Sequence, residues 1–400
     1  MPRNWSECWS FIGRWLVAAA FVALVATPAR AGSFYVRKTG NDSNAGTSPA
    51  AAWRTMLRAA LSLNAGDTVY VGAGTYNEIV TPFRPGTAAS PIKYIADKSG
   101  AMTGDAGDVE INSFVVVNRN YIHLVGFRVK NSQTGIVWVT SSGGLIDDCE
   151  VMNCSGVGLD VTSAEIAVTS SSIHSNGLEG IRCRLASTVL VKQTAVKGNG
   201  AAGIFGDGQN INLRVERSLI ASNAGDGVHG ERGTFTLINN LIYSNGNDGF
   251  EVAFGVPVVT IWNCTIAGNS VNGVRHQTGT MTLKNCIVAF NSVNGLNRQA
   301  GTMTHSHNLV FGNTTADYVG TSAGTGEISI DPSFINRFAG DFHLNRRSPA
   351  INVGTSADGI ADVDFDGVAR PIGPVWDMGC YESRSGRDVP VRVLKWTEVP

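Results

Sequence analysis

The chain has 400 residues, of which 43% are hydrophobic and 16% charged, and its formal net charge is −1. This apolar content excludes an intrinsically disordered chain, and the balanced charge argues against a nucleic-acid partner, which usually selects a basic excess. The 47 glycines follow no three-residue period, which excludes collagen. Val, Ile, Thr, Asn and Ser are abundant, as is typical of β-rich proteins.

The first segment is typical of an exported protein. Two arginines precede an apolar run over residues 16–26, and residues 29–31 (Ala-Arg-Ala) have the small-x-small pattern of a cleavage site. The run is shorter than the roughly 20 residues that a membrane-spanning helix needs. We therefore expect residues 1–31 to be a signal peptide, the protein to be secreted (extracellular, periplasmic or at the cell surface), and no transmembrane segment to follow.

One short amphipathic helix is predicted next. Its apolar residues fall at i, i+3, i+4, i+7 and i+8, and they are Trp53, Met56, Leu57, Ala60 and Leu61. Asn64 to Gly66 ends the helix, and strands at Thr68–Val71 and Pro91–Ile95 follow. A lone helix in this position would cover the open end of a repetitive β-structure, where unpaired strand edges invite aggregation.

A repeat of 22 to 24 residues occupies the middle of the chain. It is marked by asparagines at Asn131, Asn153, Asn176, Asn199, Asn223, Asn245, Asn269, Asn291 and Asn313. In most repeats a glycine comes four residues after the asparagine and an apolar residue follows it directly. Another apolar residue lies two or three positions before the asparagine. Such short alternating segments between turns are typical of strands.

These features predict an all-β fold, a right-handed parallel β-helix with about 22–23 residues per coil and a stacking distance of about 4.8 Å. We expect the asparagine to adopt left-handed backbone geometry and to hydrogen bond with the asparagines above and below it. The following glycine allows a tight bend. The predicted domains are the β-helix at 32–325 and a β-rich closing module at 326–400.

A second column of small residues precedes the turn and should face inward. It contains Cys264 and Cys286, which fall on adjacent coils. The stacking distance lies within the Cα range of a disulfide, so a bond between them is sterically conceivable. The alternative that we favour is two buried thiols in a ladder of small residues.

Two segments resemble known families. Residues 34–78, with the loop GNDSNAGTSPA and the strand GDTVYVGAGTY, resemble the opening of secreted bacterial right-handed parallel β-helix proteins, a superfamily that includes pectate-lyase-like polysaccharide lyases. Residues 331–382 contain DPSF, DFHL, SPAINVG, DFDGVARP and DMGCYE in an order that resembles a closing module often found before a cell-surface anchor. The resemblance implies the β-helix fold and a polysaccharide as partner, and it leaves surface anchoring open.

Strand alternation after the turn glycine predicts two outward columns. The first is Val137, Asp160, Arg182, Phe205, His229, Glu251, Arg275 and Asn297, and the second is Val139, Thr162, Arg184, Asp207, Glu231, Ala253, Gln277 and Gln299. A charged groove with a phenylalanine suits an extended acidic sugar polymer. The opposite charges of adjacent coils could equally be structural ion pairs, which stabilise a sheet by tenths of a kcal/mol.

The resemblance implies a chemistry for this face, the β-elimination of a uronate polymer. A cation, commonly Ca²⁺ held by acidic side chains, acidifies the proton at C5, and a lysine or arginine removes it. The candidate Ca²⁺ ligands are Asp207, Glu231, Glu251 and Asp248, the candidate bases are Arg275, Arg182 and His229, and the groove adds Asp160, Arg184 and Phe205. The competing hypothesis is a non-catalytic, monomeric protein that binds a polysaccharide on the same scaffold.

Three further patterns carry less weight. The motif set of polygalacturonase-like hydrolases and the D-P-H signature of alginate epimerases are absent from the sequence. His276 and Arg298 fall at nominally inward positions, and we expect them to mark the ends of their strands. Residues 362–367 read D-x-D-x-D-G, but the twelfth position is Gly373, which lacks the bidentate carboxylate of an EF-hand loop, so a structural turn is favoured.

Overall fold

The computed structural model describes residues 31–356 and 363–383, and within them the chain forms an all-β, right-handed parallel solenoid of about 11 turns with one α-helix. The predicted fold class and the single capping helix are therefore confirmed. All but the last residue of the predicted signal peptide lies outside the described residues. Within the described ranges, no helix has the length and apolarity to cross a membrane.

The helix that caps the first coil covers Met56–Ser62, and its N-cap is Thr55, whose side chain accepts a hydrogen bond from the Arg58 amide. Its buried side consists of Met56, Ala59 and Ala60. The sequence prediction was wrong about Leu57 and Leu61, which are 53% and 46% exposed. The helix begins after Thr55, so Trp53 lies before it and pairs with Val36 as an isolated bridge. The buried side of the helix therefore includes Ala59 and not the predicted Leu57 and Leu61.

One sheet, which we call the wide sheet, contains one strand from each coil. Its twelve strands are Ser33–Val36, Thr68–Val71, Ile92–Ala96, Ile122–Val125, Gly144–Asp147, Glu165–Thr169, Thr188–Lys192, Asn212–Glu216, Thr234–Ile238, Val258–Trp262, Thr280–Lys284 and Thr302–Ser306. Alternate residues of these strands are buried, as a sheet with one face on the core requires.

Two further ladders of strands lie on either side of the asparagine turn. The pre-turn ladder is Arg128–Lys130, Glu150–Met152, Ser172–His174, Ala195–Lys197, Leu219–Ala221, Leu241–Tyr243, Thr265–Ala267, Ile287–Ala289 and Leu309–Phe311. The charged ladder follows the turn and is Ile136–Val139, Leu159–Thr162, Ile181–Arg184, Ile204–Asp207, Val228–Gly230, Phe250–Val252, Val274–His276, Asn294–Arg298 and Ala316–Val319. The longer strands Gly74–Val80 and Val109–Val117 begin these ladders.

An asparagine ladder runs through the turn between these two sets of strands. Its members are Asn176, Asn199, Asn223, Asn245, Asn269, Asn291 and Asn313. From Asn199 onward, each Oδ1 accepts from the backbone amide and the Nδ2 of the preceding asparagine at 2.8–3.2 Å. The predicted ladder thus forms, but the left-handed residue is the one before it, such as Ser244 (φ 54°). Asn131 and Asn153 occupy that left-handed position, so Ser132 and Cys154 stand in the ladder of the first two repeats.

The column of small residues faces inward as predicted. Its members are Cys149, Ser171, Thr194, Ser218, Asn240, Cys264, Cys286 and Asn308, and each backbone amide donates to the side chain on the next coil. All six cysteines in the described residues are buried and unbonded. Cys264 donates its amide to the Cys286 Sγ at 3.5 Å, so the two thiols are members of this ladder.

The last coil is closed by a buried carboxylate. Glu327 accepts hydrogen bonds from His305, Asn308 and Tyr318 at 2.6–2.9 Å, and so ends the ladder of small residues. Glu327 also accepts from the Gly324 amide, and its side chain is fully buried. A charged group can be buried here because every neighbour donates to it.

The closing segment lies against the pre-turn ladder. It contains an antiparallel pair, Phe334–Asn336 with Asp341–Leu344, and a 3-10 turn at Arg337–Ala339. Asp364 accepts from the amides of Val368 and Glu382 at 2.7 and 2.9 Å, which supports a structural turn at the D-x-D-x-D-G motif. The first aspartate of that motif, Asp362, lies outside the described residues.

Candidate functional site

In the charged ladder, the residues of the first predicted outward column pair with one another from coil to coil. Asp160 pairs with Arg182, Arg182 with Phe205, Phe205 with His229, His229 with Glu251, and Glu251 with Arg275. The six side chains therefore lie on successive coils, as the repeat predicts. They are less exposed than strand alternation suggests, because Asp160 and Glu251 are 6% and 5% exposed. The basic side chains on the neighbouring coils cover both carboxylates.

Asp160 is covered by two guanidinium groups. Its Oδ2 lies 2.7 Å from Nη2 of Arg182 and 2.7 Å from Nη2 of Arg184, whose Nε also reaches Oδ1 at 3.2 Å. Arg182 also lies 3.8 Å from Glu179, so two carboxylates hold it. Arg184 keeps 44% of its side chain exposed and can contact a ligand.

His229 is held between two carboxylates. Its Nδ1 lies 2.8 Å from Oδ2 of Asp226 and 3.1 Å from Oε2 of Glu251, and its ring packs against Phe205 at a centroid distance of 5.1 Å. Burial lowers the pKa of His229, but the hydrogen bonds and charges of Asp226 and Glu251 outweigh it and raise the pKa to about 9. The imidazole is therefore protonated at neutral pH and is a proton donor rather than a base.

Glu251 connects His229 to Arg275. Its Oε1 lies 3.1 Å from Nη1 of Arg275 and accepts a hydrogen bond from Gln277 at 2.6 Å. Burial raises the pKa of Glu251, but the hydrogen bond and charge of His229 together with the charge of Arg275 lower it overall. Glu251 is therefore ionised, and both its oxygens already have partners.

Asp248 lies in the turn below this pair and is fully buried. Its Oδ1 accepts from the backbone and side-chain amides of Asn272, both at 2.7 Å, whereas Oδ2 accepts no hydrogen bond. Burial raises the pKa of Asp248 to about 6. The nearest cation is Arg275, whose Nη1 lies 3.9 Å from Oδ2.

Asp248 belongs to a second turn ladder that the sequence analysis did not identify. Asp226 Oδ1 accepts from the Asp248 amide at 2.9 Å, and Asn272 Oδ1 accepts from the side chain of Asn294 at 2.8 Å. Each of these four residues lies three positions after a repeat asparagine. That constant offset is the signal by which the ladder could have been predicted.

Asp207 and Glu231 form a separate pair farther along the strand. Gly206 pairs with Gly230, so the residues that follow them, Asp207 and Glu231, lie side by side on adjacent coils. Burial and then the hydrogen bond and charge of Asp207 raise the pKa of Glu231. Neither carboxylate forms an ion pair with any described residue, which distinguishes this pair from the other acidic groups of the site.

The four predicted calcium ligands therefore fall into two groups. Asp207 and Glu231 face each other, whereas Glu251 and Asp248 both contact Arg275. The first pair offers only oxygen atoms, has no cationic partner and reaches solvent, and these properties fit Ca²⁺. The second pair is already neutralised by basic side chains.

Another set of possible ligands is Asp226, His229 and Glu251, whose donor atoms lie within 4.8 Å of one another. An imidazole nitrogen with two carboxylates suits a transition metal such as Zn²⁺ better than Ca²⁺. A metal there would have to displace the proton that His229 shares with both acids. Asp226 was not among the ligands predicted from the sequence.

His276 corrects one expectation. It does end its strand, Val274–His276, as expected, but its side chain is fully buried, which the sequence did not predict. Neither ring nitrogen has a hydrogen-bond partner, and burial is the main cause that lowers its pKa. Arg298 does end its strand and donates to the carbonyl oxygen of Gly320 at 2.7 Å.

Comparison with known proteins agrees with this architecture. The profile of the Pel9A-like right handed beta helix region matches residues 34–181, and that of the right handed beta helix region matches residues 112–261. The chain is therefore a right-handed parallel β-helix protein, and it resembles the pectate-lyase-like superfamily. No curated protein matches the chain.

Two solved structures share most of this fold. Pectate lyase Pel9A is 16% identical, with a TM-score of 0.63 over 88% of this chain and 96% of its own. XylC, solved as a complex with xylose, is 11% identical, with a TM-score of 0.62 over 87% of this chain and 98% of its own. At such low identity, these similarities establish the fold alone.

Proposed function

We propose that the protein is a carbohydrate-active enzyme, a Ca²⁺-assisted lyase that cleaves a uronate-containing polysaccharide by β-elimination. The observation that carries this proposal is the Asp207–Glu231 pair, which has no cationic partner and lies between coils bearing Arg184 and Arg275. These two arginines are four coils apart, or about 19 Å at the usual strand spacing. An extended acidic polymer along the axis would meet the partly exposed guanidinium groups of Arg184 and Arg275 at its two ends and a cation site between them.

The residues of the ladder have separable roles in this reaction. Ca²⁺ bound at Asp207 and Glu231 would neutralise the carboxylate at C6 and make the proton at C5 more acidic. Arg275 removes that proton, the C4–C5 double bond forms and the C4–O bond breaks. His229 is protonated at neutral pH, and its Nε2 has no partner among the described residues, so it can give a proton to the departing oxygen.

The choice of Arg275 as base follows from its neighbours. His229 already carries a proton, and Arg182 lies 2.7 Å from its nearest carboxylate, whereas Arg275 lies 3.1 Å from its nearest carboxylate and is 31% exposed. To act as a base, Arg275 must first lose a proton, and the unbonded Oδ2 of Asp248 lies 3.9 Å from its Nη1. In this proposal Asp248 supports the base and is not a Ca²⁺ ligand.

The test is a lyase assay on pectate, alginate and glycosaminoglycans, with the ultraviolet absorbance of the unsaturated product as readout. We expect activity on at least one polymer, loss of that activity in EDTA, and recovery with Ca²⁺. Arg275→Lys should reduce turnover by about 100-fold or more, because a compact ammonium cannot reproduce the guanidinium geometry. Arg214→Lys is the matched control, since Arg214 is also paired with a glutamate but lies on the wide sheet.

A non-catalytic polysaccharide-binding protein is the second candidate. Two observations favour it: Asp160 is paired with Arg182 and Arg184, and both carboxylate oxygens of Glu251 already have partners. Such contacts are typical of ion pairs that only stabilise a sheet. Retained binding of an acidic polymer without unsaturated product from any substrate would establish this alternative. If the predicted signal peptide is correct, we expect the polymer to lie outside the cytoplasm in either case.

A further inference from the structure

A pocket of about 270 Å³ lies on the other side of the asparagine turn, between the pre-turn ladder and the closing segment. Leu219, Leu241 and Tyr243 of the pre-turn ladder form part of its lining, and Phe365 and Tyr381 of the closing segment contribute further apolar surface. No residue of the charged ladder lines it. The volume is below the roughly 300–1,000 Å³ of pockets for drug-sized ligands, so a ligand about the size of one sugar ring fits best.

The polar side of this pocket is a chain of three side chains. Nδ1 of His343 lies 2.6 Å from Oδ1 of Asp341, and its Nε2 lies 2.9 Å from Oδ2 of Asp366. The imidazole ring packs against Tyr381 at a centroid distance of 3.9 Å, which fixes its orientation. Each carboxylate thus uses one oxygen on His343, and its second oxygen has no partner among the described residues.

We propose that this pocket binds one neutral sugar residue, as a free monosaccharide or as the end of a neutral glycan. Two ionised carboxylates with free oxygens are strong acceptors for the hydroxyl groups of a pyranose. The ring of Tyr243, together with Leu219 and Leu241, offers apolar surface to the C–H face of the sugar. A pyranose has both hydroxyl groups and an apolar C–H face, so a site that buries it needs both carboxylate acceptors and apolar side chains.

The charge of the pocket separates its ligand from that of the charged ladder. Asp341 and Asp366 carry two negative charges, and His343 can supply only one positive charge. A uronate carboxylate bound in the pocket would face the second oxygens of Asp341 and Asp366 and would be repelled by them. The protein would hold a neutral glycan on one side and an acidic polymer on the other.

The test uses isothermal titration of the full chain with methyl glucoside, methyl galactoside, methyl xyloside, galacturonate and tetramethylammonium. We expect at least one neutral glycoside to bind with a dissociation constant on the order of 1 mM, and galacturonate to bind at least 10-fold more weakly. Ala339→Trp, which fills the pocket from its exposed edge, should weaken neutral binding by 10-fold or more, as should Asp341→Asn. Ala88→Trp, in an exposed turn far along the sequence, is the control.

Three results would overturn the proposal. One is galacturonate binding as tightly as any neutral glycoside, and another is Ala339→Trp leaving neutral binding unchanged. The third is tetramethylammonium binding in place of the sugars, which would mark an aromatic site for cations. The Arg275→Lys variant should bind neutral glycosides normally, so failure of the lyase proposal and failure of this one are distinguishable.

Discussion

At the scale of single residues, the site is defined by what each carboxylate contacts. Glu251 is a buried acceptor for His229, Arg275 and Gln277 rather than a lone outward charge. Asp207, on the next coil but one, is exposed and forms no ion pair with a basic side chain in the described part of the chain. Two acidic residues of the same ladder thus differ in role because their neighbours differ.

Glu251→Gln should therefore affect both stability and activity. The glutamine keeps the size of the side chain but removes the negative charge that balances His229 and Arg275. We expect the free energy of unfolding to fall by about 1–3 kcal/mol, because buried charged donors lose their acceptor. Turnover on any substrate should fall by orders of magnitude if the proposed site is catalytic. Chemical denaturation compared with Glu165→Gln, an exposed glutamate on the wide sheet, measures the first effect.

The elevated pKa of His229 predicts a pH dependence of stability. Because the folded-state pKa is raised from 6.5 to about 9, protonated His229 stabilises the fold fully below about pH 6.5, and this contribution is lost as pH rises through about 9. Melting temperatures measured between pH 6 and pH 10 in EDTA should decline over that window. In Asp226→Asn the decline should be smaller, and an unchanged profile in that variant would contradict the assignment.

At the scale of the repeating element, stability depends on the asparagine ladder. Asn245 Oδ1 accepts both the backbone amide and the Nδ2 of Asn223, and its own Nδ2 donates to the Ile220 carbonyl oxygen. All of these groups are buried inside the turn, where no water can replace a missing partner. One side chain therefore satisfies groups on two neighbouring coils.

Asn245→Ala should destabilise the protein strongly. Four hydrogen bonds of this side chain are lost, including the one that its Nδ2 donates to Asn269 Oδ1, and the donors of Asn223 are left unsatisfied. We therefore expect a loss of about 3 kcal/mol or more in the free energy of unfolding. Asn153→Ala is the matched control, because Asn153 belongs to the same sequence repeat but is exposed and stands outside the ladder. Equal losses in both variants, measured by urea denaturation, would show that the ladder does not have this role.

The same residues show what the repeat can and cannot predict. Spacing alone predicts the coil, the inward column that includes Cys264 and the outward column from Asp160 to Arg275. All three follow from the length of the repeat and from the alternation of side chains along a strand. Spacing cannot tell that Asn153 precedes the ladder position and Asn176 occupies it, since both fit a 23-residue period. That difference depends on where the left-handed residue lies in the turn.

The functional site was less predictable than the fold. Sequence gives the face on which His229, Glu251 and Glu231 lie, but not which of them touch. Contacts between side chains depend on their rotamers and on the position of each turn relative to the strand that follows it. Asp226 is therefore missing from the predicted site, although its carboxylate lies 2.8 Å from His229.

At the scale of the whole molecule, a solenoid is limited by its two ends. Each coil covers the next, so only the first and last coils present unpaired strands and an open core. The last coil is closed by Glu327 and its four hydrogen bonds. The first coil is closed by the helix Met56–Ser62 and by Trp53, which is 2% exposed.

Met56→Lys should open the first coil. Met56 is fully buried at the start of the helix, so the variant places an ammonium group in an apolar core where it has no partner. We expect the helix to detach, the first strands to become available for edge-to-edge pairing, and the protein to form dimers or larger species. Leu57→Lys is the control at the neighbouring position, because Leu57 is 53% exposed and its replacement should leave size and melting temperature unchanged. Light scattering coupled to size-exclusion chromatography distinguishes the two, and a monomeric Met56→Lys with wild-type stability would show that the helix is not what keeps the first coil closed.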